Sequence, residues 1–509
     1  MSKLNKTIND PYKSNKSSPF GKSLSANGNL QSNKSPCQIL FEVVVSSLYG
    51  KDSYYETSND KVTRMIEALN SVIAVHGLHG ARYALNVAKF AREEMFIRTM
   101  PIVMTVQLAK ILREHGLQLD GFKEAVSYLI QRADELTDLY AYSLTVFESK
   151  NKIPMSIKKG VAEAFNKFDS YQMGKYNRSE GLTFKDLLRI VHPKPVDEIH
   201  AEIFNKIMSE SLESPSTWEV LLSENGKIPK ENQKSKCDIW TDLINTNGSG
   251  SLGYMATLRN LRNMKEADIS NETWVTVANK IKDPVQVSKS KQLPFGFINA
   301  YDIAKSNNLP QIVLNALSQA TEISLSNIPE LGKHVWIILD CSGSMNGSMN
   351  LNGTSPIKIG SIFTAALTKA SANSFDFKFT MFDDFAKNVD LNPLDSVFTS
   401  YQKIMNRNAG GGTNLQSALN LKSQLGFEPD TVIILSDMQV NRLDSNNISK
   451  LFSKDCVKIA INLDSLGNTP ISELQGWTQL SGFSNNIFKY IKFTRESDSI
   501  ARLLFDASV

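Results

Sequence analysis

Two kinds of hydrophobic pattern divide the chain. From about residue 37 to 325, apolar positions recur at helical spacing. Tyr83, Val87 and Phe90 share one face, and Ala84, Ala88 and Ala91 permit close helix approach. Pro101 suits a first helical turn, and after it Met104, Leu108, Ile111 and Leu112 follow the i, i+4, i+7, i+8 spacing. Amphipathic segments of this size recur between short polar breaks, without a strict repeat period. They predict stacked helical hairpins, as in an α-solenoid. Residues 326–333, Ser-Asn-Ile-Pro-Glu-Leu-Gly-Lys, read as a junction. Beyond them the pattern changes. Val335–Leu339 and Val432–Leu435 are continuous runs rich in Val and Ile, as expected of parallel strands buried on both faces. Phe375–Met381 and Val457–Leu463 add two strand candidates, and Pro356 to Ala370 reads as a helix. The expected organisation is therefore multidomain. A polar, disordered tail spans 1–36, an all-α helical-repeat region spans 37–328, and a doubly wound, Rossmann-like α/β domain spans 329–509.

The length of 509 residues agrees with two or three domains, and 41% hydrophobic content supports globular folding. Cys37, Cys237, Cys341 and Cys456 are far apart and form no C-x-x-C pair. A disulfide framework and a zinc site are thus not expected, which points to a reducing cytosol and a cytoplasmic location. No signal peptide opens the sequence and no apolar stretch reaches membrane-span length, so no membrane partner is expected. The net charge of +4 is unevenly placed. Residues 1–36 carry six Lys and one Asp, leaving the rest of the chain near neutral. Residues 151–196 are a second basic cluster, with nine Lys or Arg against four Asp or Glu. The tail reads either as inert or as a basic arm adding salt-sensitive RNA affinity.

Candidate chemistry sits at the ends of the apolar runs. His334-Val-Trp-Ile-Ile-Leu339 leads into Asp340-Cys-Ser-Gly-Ser-Met345. Thr431-Val-Ile-Ile-Leu-Ser-Asp437 again ends in Asp, and Gly410-Gly-Gly-Thr-Asn414 lies between them. In an open α/β sheet, ligands sit beyond the carboxyl ends of the strands. Asp340, Ser342, Ser344, Thr413 and Asp437 would supply five hard oxygen ligands there. A set without thiol or imidazole favours Mg²⁺, with Ca²⁺ or Mn²⁺ as alternatives, over Zn²⁺. The plainer reading is a set of polar caps at strand–helix turns. Asp383 and Asp384 read as surface or supporting groups rather than ligands.

This Asp-x-Ser-x-Ser, Thr, Asp order resembles the metal-ion-dependent adhesion site of von Willebrand factor A domains. Three helical segments carry a further resemblance. They are Phe96-Ile-Arg-Thr-Met-Pro101, then Tyr176 to Pro195 with Phe184-Lys-Asp-Leu-Leu-Arg-Ile-Val-His-Pro-Lys-Pro195, and Leu252-Gly-Tyr-Met-Ala-Thr-Leu-Arg-Asn-Leu-Arg-Asn-Met264. Followed by the metal-site domain, they resemble the TROVE module of the Ro ribonucleoprotein autoantigen family over roughly residues 37–505. The tail has no counterpart in that resemblance, and the Asn- and Gly-rich loop 346–354 is longer than it leads one to expect. The resemblance implies a ring of HEAT-like repeats with the A domain helping to close it. It further implies small structured Y-like RNA on a basic outer face, single-stranded 3′ ends of misfolded non-coding RNA in the hole, and a tether to exoribonucleases.

By motif, His192 matches the family's histidine on the Y RNA face. Lys175 precedes Tyr176 as the family's lysine precedes an aromatic. Arg178 falls within a residue of the second basic position, and Lys185, Arg189 and Lys194 share the segment. Lys and Arg bind phosphate, while His and Tyr stack on or hydrogen-bond unpaired bases. The plainer readings are a helix-end cap for His192 and a solvated face for Lys175 and Arg178. Arg259 and Arg262 either face the hole or only order the repeat around Leu258, Leu261 and Met264. Three function classes follow. The first is an RNA chaperone of the Ro type, expected to be monomeric. The second is a metal-dependent scaffold whose A domain captures an acidic residue of a protein partner. The third, an enzyme, is not expected, since no P-loop, second carboxylate-rich site or nucleophile–base constellation stands out.

Overall fold

A computed structural model describes residues 35–46, 58–177, 180–213, 217–246, 251–347, 355–373, 375–407, 410–440, 443, 448, 451–453, 455–463, 477–481 and 487–507. The tail lies outside them, apart from residues 35 and 36, as do Arg178 and residues 348–354 of the Asn- and Gly-rich loop. The chain forms two compact units, one of residues 1–215 with 496–509 and one of residues 216–495. The division falls within the helical region. The expected boundary at 328/329 lies inside the second unit.

The first unit is helical among its described residues. Pro36–Ser46 packs on Ser58–Glu93, which kinks at Gly77, where φ is +54°. Thr99–Glu114 follows and buries Met104, Leu108, Ile111 and Leu112, the face expected from their spacing. Gly160 of Met155–Ala164 lets that helix approach Phe122–Leu129 closely. A Cβ there would stand 2.6 Å from Val126 Cβ. The last helix, Ser497–Asp506, docks on the first two. Asn86 Nδ2 donates to Leu504 O at 2.9 Å and Ala507 O at 3.1 Å, and Phe505 packs on His76, His79 and Tyr83.

Arg92 and Glu135 form a buried ion pair inside this unit. Arg98, from the Phe96–Pro101 segment, donates from Nε to the other Glu135 oxygen at 3.0 Å and from Nη2 to Asp134 at 3.0 Å. Glu135 also accepts the backbone N–H of Gln131 and Arg132, tying the start of Ala133–Phe147 to the pair.

In the second unit, helices from Trp218–Lys227 to Gln311–Ser324 enclose a core around Trp240, Trp274, Val277 and Leu317. A six-stranded sheet follows: β1 (His334–Asp340), β2 (Asp376–Phe382), β3 (Ala386–Asn388), β4 (Thr431–Ser436), β5 (Val457–Asn462) and β6 (Thr478–Ser481). The strand order is β3-β2-β1-β4-β5-β6, parallel except for the short edge strand β3. Alternation along β1 and β4 feeds both faces. Trp336, Ile338, Val432 and Ile434 join a core with Leu415, Leu419, Phe452 and Trp477. On the other face Leu339 meets Gly360 of the helix Pro356–Ala370, where a Cβ would stand 2.3 Å from Leu339 Cδ1. Phe363 of that helix stacks on Phe488 at 4.6 Å and approaches Phe295 of Pro294–Ser306 at 6.3 Å. That apolar contact joins the helices before residue 328 to the sheet, which explains why the two form one unit. β1, β2, β4, β5 and the 356–370 helix lie where the sequence predicts them, β3 and β6 are additions, and the doubly wound α/β architecture after a helical region is as expected.

Candidate metal centre and nucleic-acid face

The order 3-2-1-4-5-6 reverses between β1 and β4, and the crevice at such a reversal is where doubly wound sheets hold ligands. Asp340 ends β1 and Asp437 follows β4, so both carboxylates stand at this crevice. Both side chains are fully buried. Asp340 Oδ1 accepts the Ser342 N–H at 2.8 Å, and Oδ2 accepts the Ser436 hydroxyl at 2.6 Å. Burial pushes the Asp340 carboxyl up to about 6; the Asp437 charge adds to this, while the bonds from Ser342 and Ser436 oppose it. The Ser342 and Ser344 hydroxyls are 3.2 Å apart.

The Gly-rich loop is zipped to the Ser-Gly-Ser turn. Gly343 N–H donates to Gly411 O at 3.1 Å and Gly410 N–H to Cys341 O at 3.2 Å. This brings Thr413, nearly buried, to the same edge. Asp384 supports that loop by accepting the Gly412 N–H at 3.1 Å, and the Asp383 carbonyl accepts the Asn414 N–H at 2.7 Å. A Cβ on Gly411, whose φ is +123°, would stand 2.9 Å from Asp384 Oδ2, so only glycine fits the approach.

Asp340 and Asp437 thus stand at one strand-end crevice, with Ser342 bonded to Asp340, Ser344 beside Ser342, and the loop that carries Thr413 bonded to the same turn. One atom there asks for a partner. Asp437 Oδ1 accepts the Gln439 N–H at 3.1 Å, but Oδ2 is buried with no hydrogen-bond partner among the described residues. A buried carboxylate oxygen left unpaired is costly, and a cation would satisfy it. The oxygen-only donor set fits a hard divalent ion. Ser436 is the residue sequence reasoning missed. Its hydroxyl links the two strand ends, donating to Asp340 and accepting the Met438 N–H at 2.9 Å. Its one signal was a serine directly before the strand-terminal aspartate.

The basic segment belongs to the first unit. Ser170–Tyr176 and Phe184–Val191 both rest on Ala133–Phe147. Asp169 caps the first helix and Thr183 the second, each in a capping box. Lys175 is exposed in the last turn of the first. His192 is the C-cap of the second, at φ +45° and ψ +60°, and its N–H bonds Leu188 O. The cap reading therefore holds for its backbone, while the side chain stays exposed. Asn166, also missed from sequence, clamps the following loop: its amide donates to Lys194 O at 3.0 Å and accepts the Val196 N–H at 3.0 Å. Arg189 and Lys194 are exposed, whereas Lys185 is engaged with Glu210 at 2.8 Å. Arg178 lies outside the described residues. In the second unit Leu261 and Met264 are buried and Leu258 partly so, while Arg262 pairs with Glu266 at 2.8 Å. Arg259 is exposed.

These features define a helical protein that carries a doubly wound α/β domain with an oxygen-lined crevice at its switch point. Comparison with known proteins narrows the class. The TROVE domain model matches residues 206–328, which include the Leu252–Met264 segment; the other two motif segments lie before the match. Telomerase protein component 1 of Mus musculus is 29% identical over 153 residues, 26% of this chain and 5% of that protein. The Rattus norvegicus protein of the same name is 35% identical over 91 residues, 18% of this chain and 3% of that protein. The chain therefore spans only a small part of these relatives. A crystal structure of the Deinococcus radiodurans Ro protein superposes with a TM-score of 0.68, covering 91% of this chain and all of that one at 16% identity. Residues 206–328 thus match the TROVE domain model, and the chain has the fold of a Ro protein, as its sequence leads one to expect.

Proposed function

We propose that this chain is an RNA-binding protein of the Ro type, acting as a binding protein rather than an enzyme. The observation that carries the reading is the TROVE match within a chain of Ro fold. Its ligands in this reading are a small structured, Y-like RNA on the basic face of residues 151–196 and single-stranded 3′ ends of misfolded non-coding RNA. An exoribonuclease is the partner and the cytoplasm the compartment. Lys175, Arg189 and Lys194 supply exposed cations for phosphate, and His192 offers an exposed ring to an unpaired base. Arg178 belongs to the same group by motif. Lys185 contributes by exchanging Glu210 for phosphate.

The expected result is that Lys175→Ala with His192→Ala weakens binding of a stem–loop RNA about tenfold or more and flattens its salt dependence by about one unit of slope. Filter binding at several salt concentrations reads both. A double variant that binds like wild type would remove the site assignment.

A second reading concerns the α/β domain, favoured by Asp437 Oδ2, which has no hydrogen-bond partner among the described residues. We propose that Asp340, Ser342, Ser344, Thr413 and Asp437 hold a divalent cation, Mg²⁺ in the first instance. An acidic side chain of a protein partner would complete its coordination. The two readings use different units and are compatible.

A further inference from the structure

The helix Ser170–Tyr176 interleaves cations and aromatic rings beyond what the basic cluster requires. Lys175 Nζ lies 6.0 Å from the centroid of the Tyr171 ring and 5.8 Å from that of Tyr176. Tyr176 is also held by Arg132. The Arg132 guanidinium lies 4.8 Å from its ring centroid and donates to its hydroxyl at 2.9 Å. Arg132 is itself fixed by two bonds to Asp134, each 3.1 Å. Asp134 is held in turn by Arg98 and kept below the usual carboxylate range, with burial opposing and Arg132 and Arg98 prevailing. The outer ring, Tyr171, is 45% exposed. The result is an inner ring held by Arg132, an exposed lysine and a half-exposed Tyr171 ring one helical turn away.

From this placement we propose that Tyr171 and Lys175 form a site for one unpaired nucleotide of RNA. The base stacks on Tyr171, Lys175 meets the adjoining phosphate, and Tyr176 with Arg132 positions the lysine. A solvated lysine alone would need neither ring. A base stacked on an aromatic beside a cation is the arrangement by which single strands are held without sequence preference. The inference rests on the RNA-binding reading and deepens it, since it assigns an unpaired nucleotide rather than duplex to this helix.

The test uses the full chain and two probes: a stem–loop with a single-stranded tail carrying 2-aminopurine, and a blunt duplex of equal length. Tyr171→Ala is expected to weaken the tailed probe by roughly 5- to 150-fold, to relieve the 2-aminopurine quenching, and to leave duplex binding and the salt slope unchanged. Tyr171→Phe keeps the ring and is expected to bind as wild type. Lys175→Ala lowers the salt slope by about one on the tailed probe. Wild type binding both probes while Tyr171→Ala matches it, or Tyr171→Phe failing as Ala does, would overturn the stacking site and leave the RNA reading standing. Wild type binding neither probe would overturn both.

Discussion

Mg²⁺ is expected to raise the Tm of the wild-type protein, and replacing Asp437 with Asn is expected to abolish that rise. Asp340 and Asp437 are two fully buried carboxylates close enough that one charge raises the other's pKa. Hydrogen bonds satisfy Asp340, but Asp437 Oδ2 lacks a partner among the described residues. A divalent ion bound there would relieve both the repulsion and the unpaired oxygen. At a hundredfold excess over its Kd, such a ligand stabilises the native state by about 2.7 kcal/mol. In EDTA the variant should melt no lower than wild type, because one of two buried like charges is gone. With Mg²⁺ only wild type should shift. Equal shifts in both proteins, followed by differential scanning fluorimetry, would show that the ion acts elsewhere.

Glu135→Ala is expected to produce the largest loss of stability in the first unit, about 3–5 kcal/mol. The Arg92 and Glu135 side chains are 4% and 2% exposed, so removing the carboxylate strands a buried guanidinium. The same change removes one of the two carboxylates that hold Arg98, leaving Asp134, and leaves two backbone N–H groups at the start of Ala133–Phe147 without their acceptor. Glu135→Gln, which keeps shape but not charge, should fall between the two. Urea titration followed by circular dichroism measures it. A loss below about 1 kcal/mol, the scale of an exposed pair, would mean the pair is not buried in solution.

The two largest effects differ in how far the sequence announced them. The strand-end crevice was legible because its parts are local: continuous Val- and Ile-rich runs read as buried strands, and each leads into an Asp. The helix Pro356–Ala370 was legible from its proline at the start and its run of Ile, Phe, Ala and Leu. The Arg92–Glu135 pair was not legible, since its members lie on different helices and look like ordinary surface charges in sequence. The docking of Ser497–Asp506 on Ser58–Glu93 was hidden for the same reason. Asn86 and Leu504 are 418 residues apart, and no periodicity links them. Ser436 and Asn166 act through hydrogen bonds to distant partners, one to Asp340 and two to the 194–196 loop, which exist only once the strands and loops have packed. The 215/216 division escaped because both sides are amphipathic helix, and what separates them is which apolar face meets which core.

The basic segment shows how a plain reading and a functional one combine. His192 caps its helix through its backbone in a left-handed conformation that a histidine adopts at some cost. That geometry leaves the imidazole exposed beside Lys194, on a loop that Asn166 clamps. Cap and contact are thus carried by different atoms of one residue.

The most direct test of the central claim is ultraviolet crosslinking of the protein in its native cell, with the bound RNA sequenced and the crosslinked residues mapped. The account predicts a discrete small structured RNA joined to residues 170–195. Recovery of random RNA, or of none, would contradict it and leave the cation-dependent protein-binding reading as the better description of the molecule.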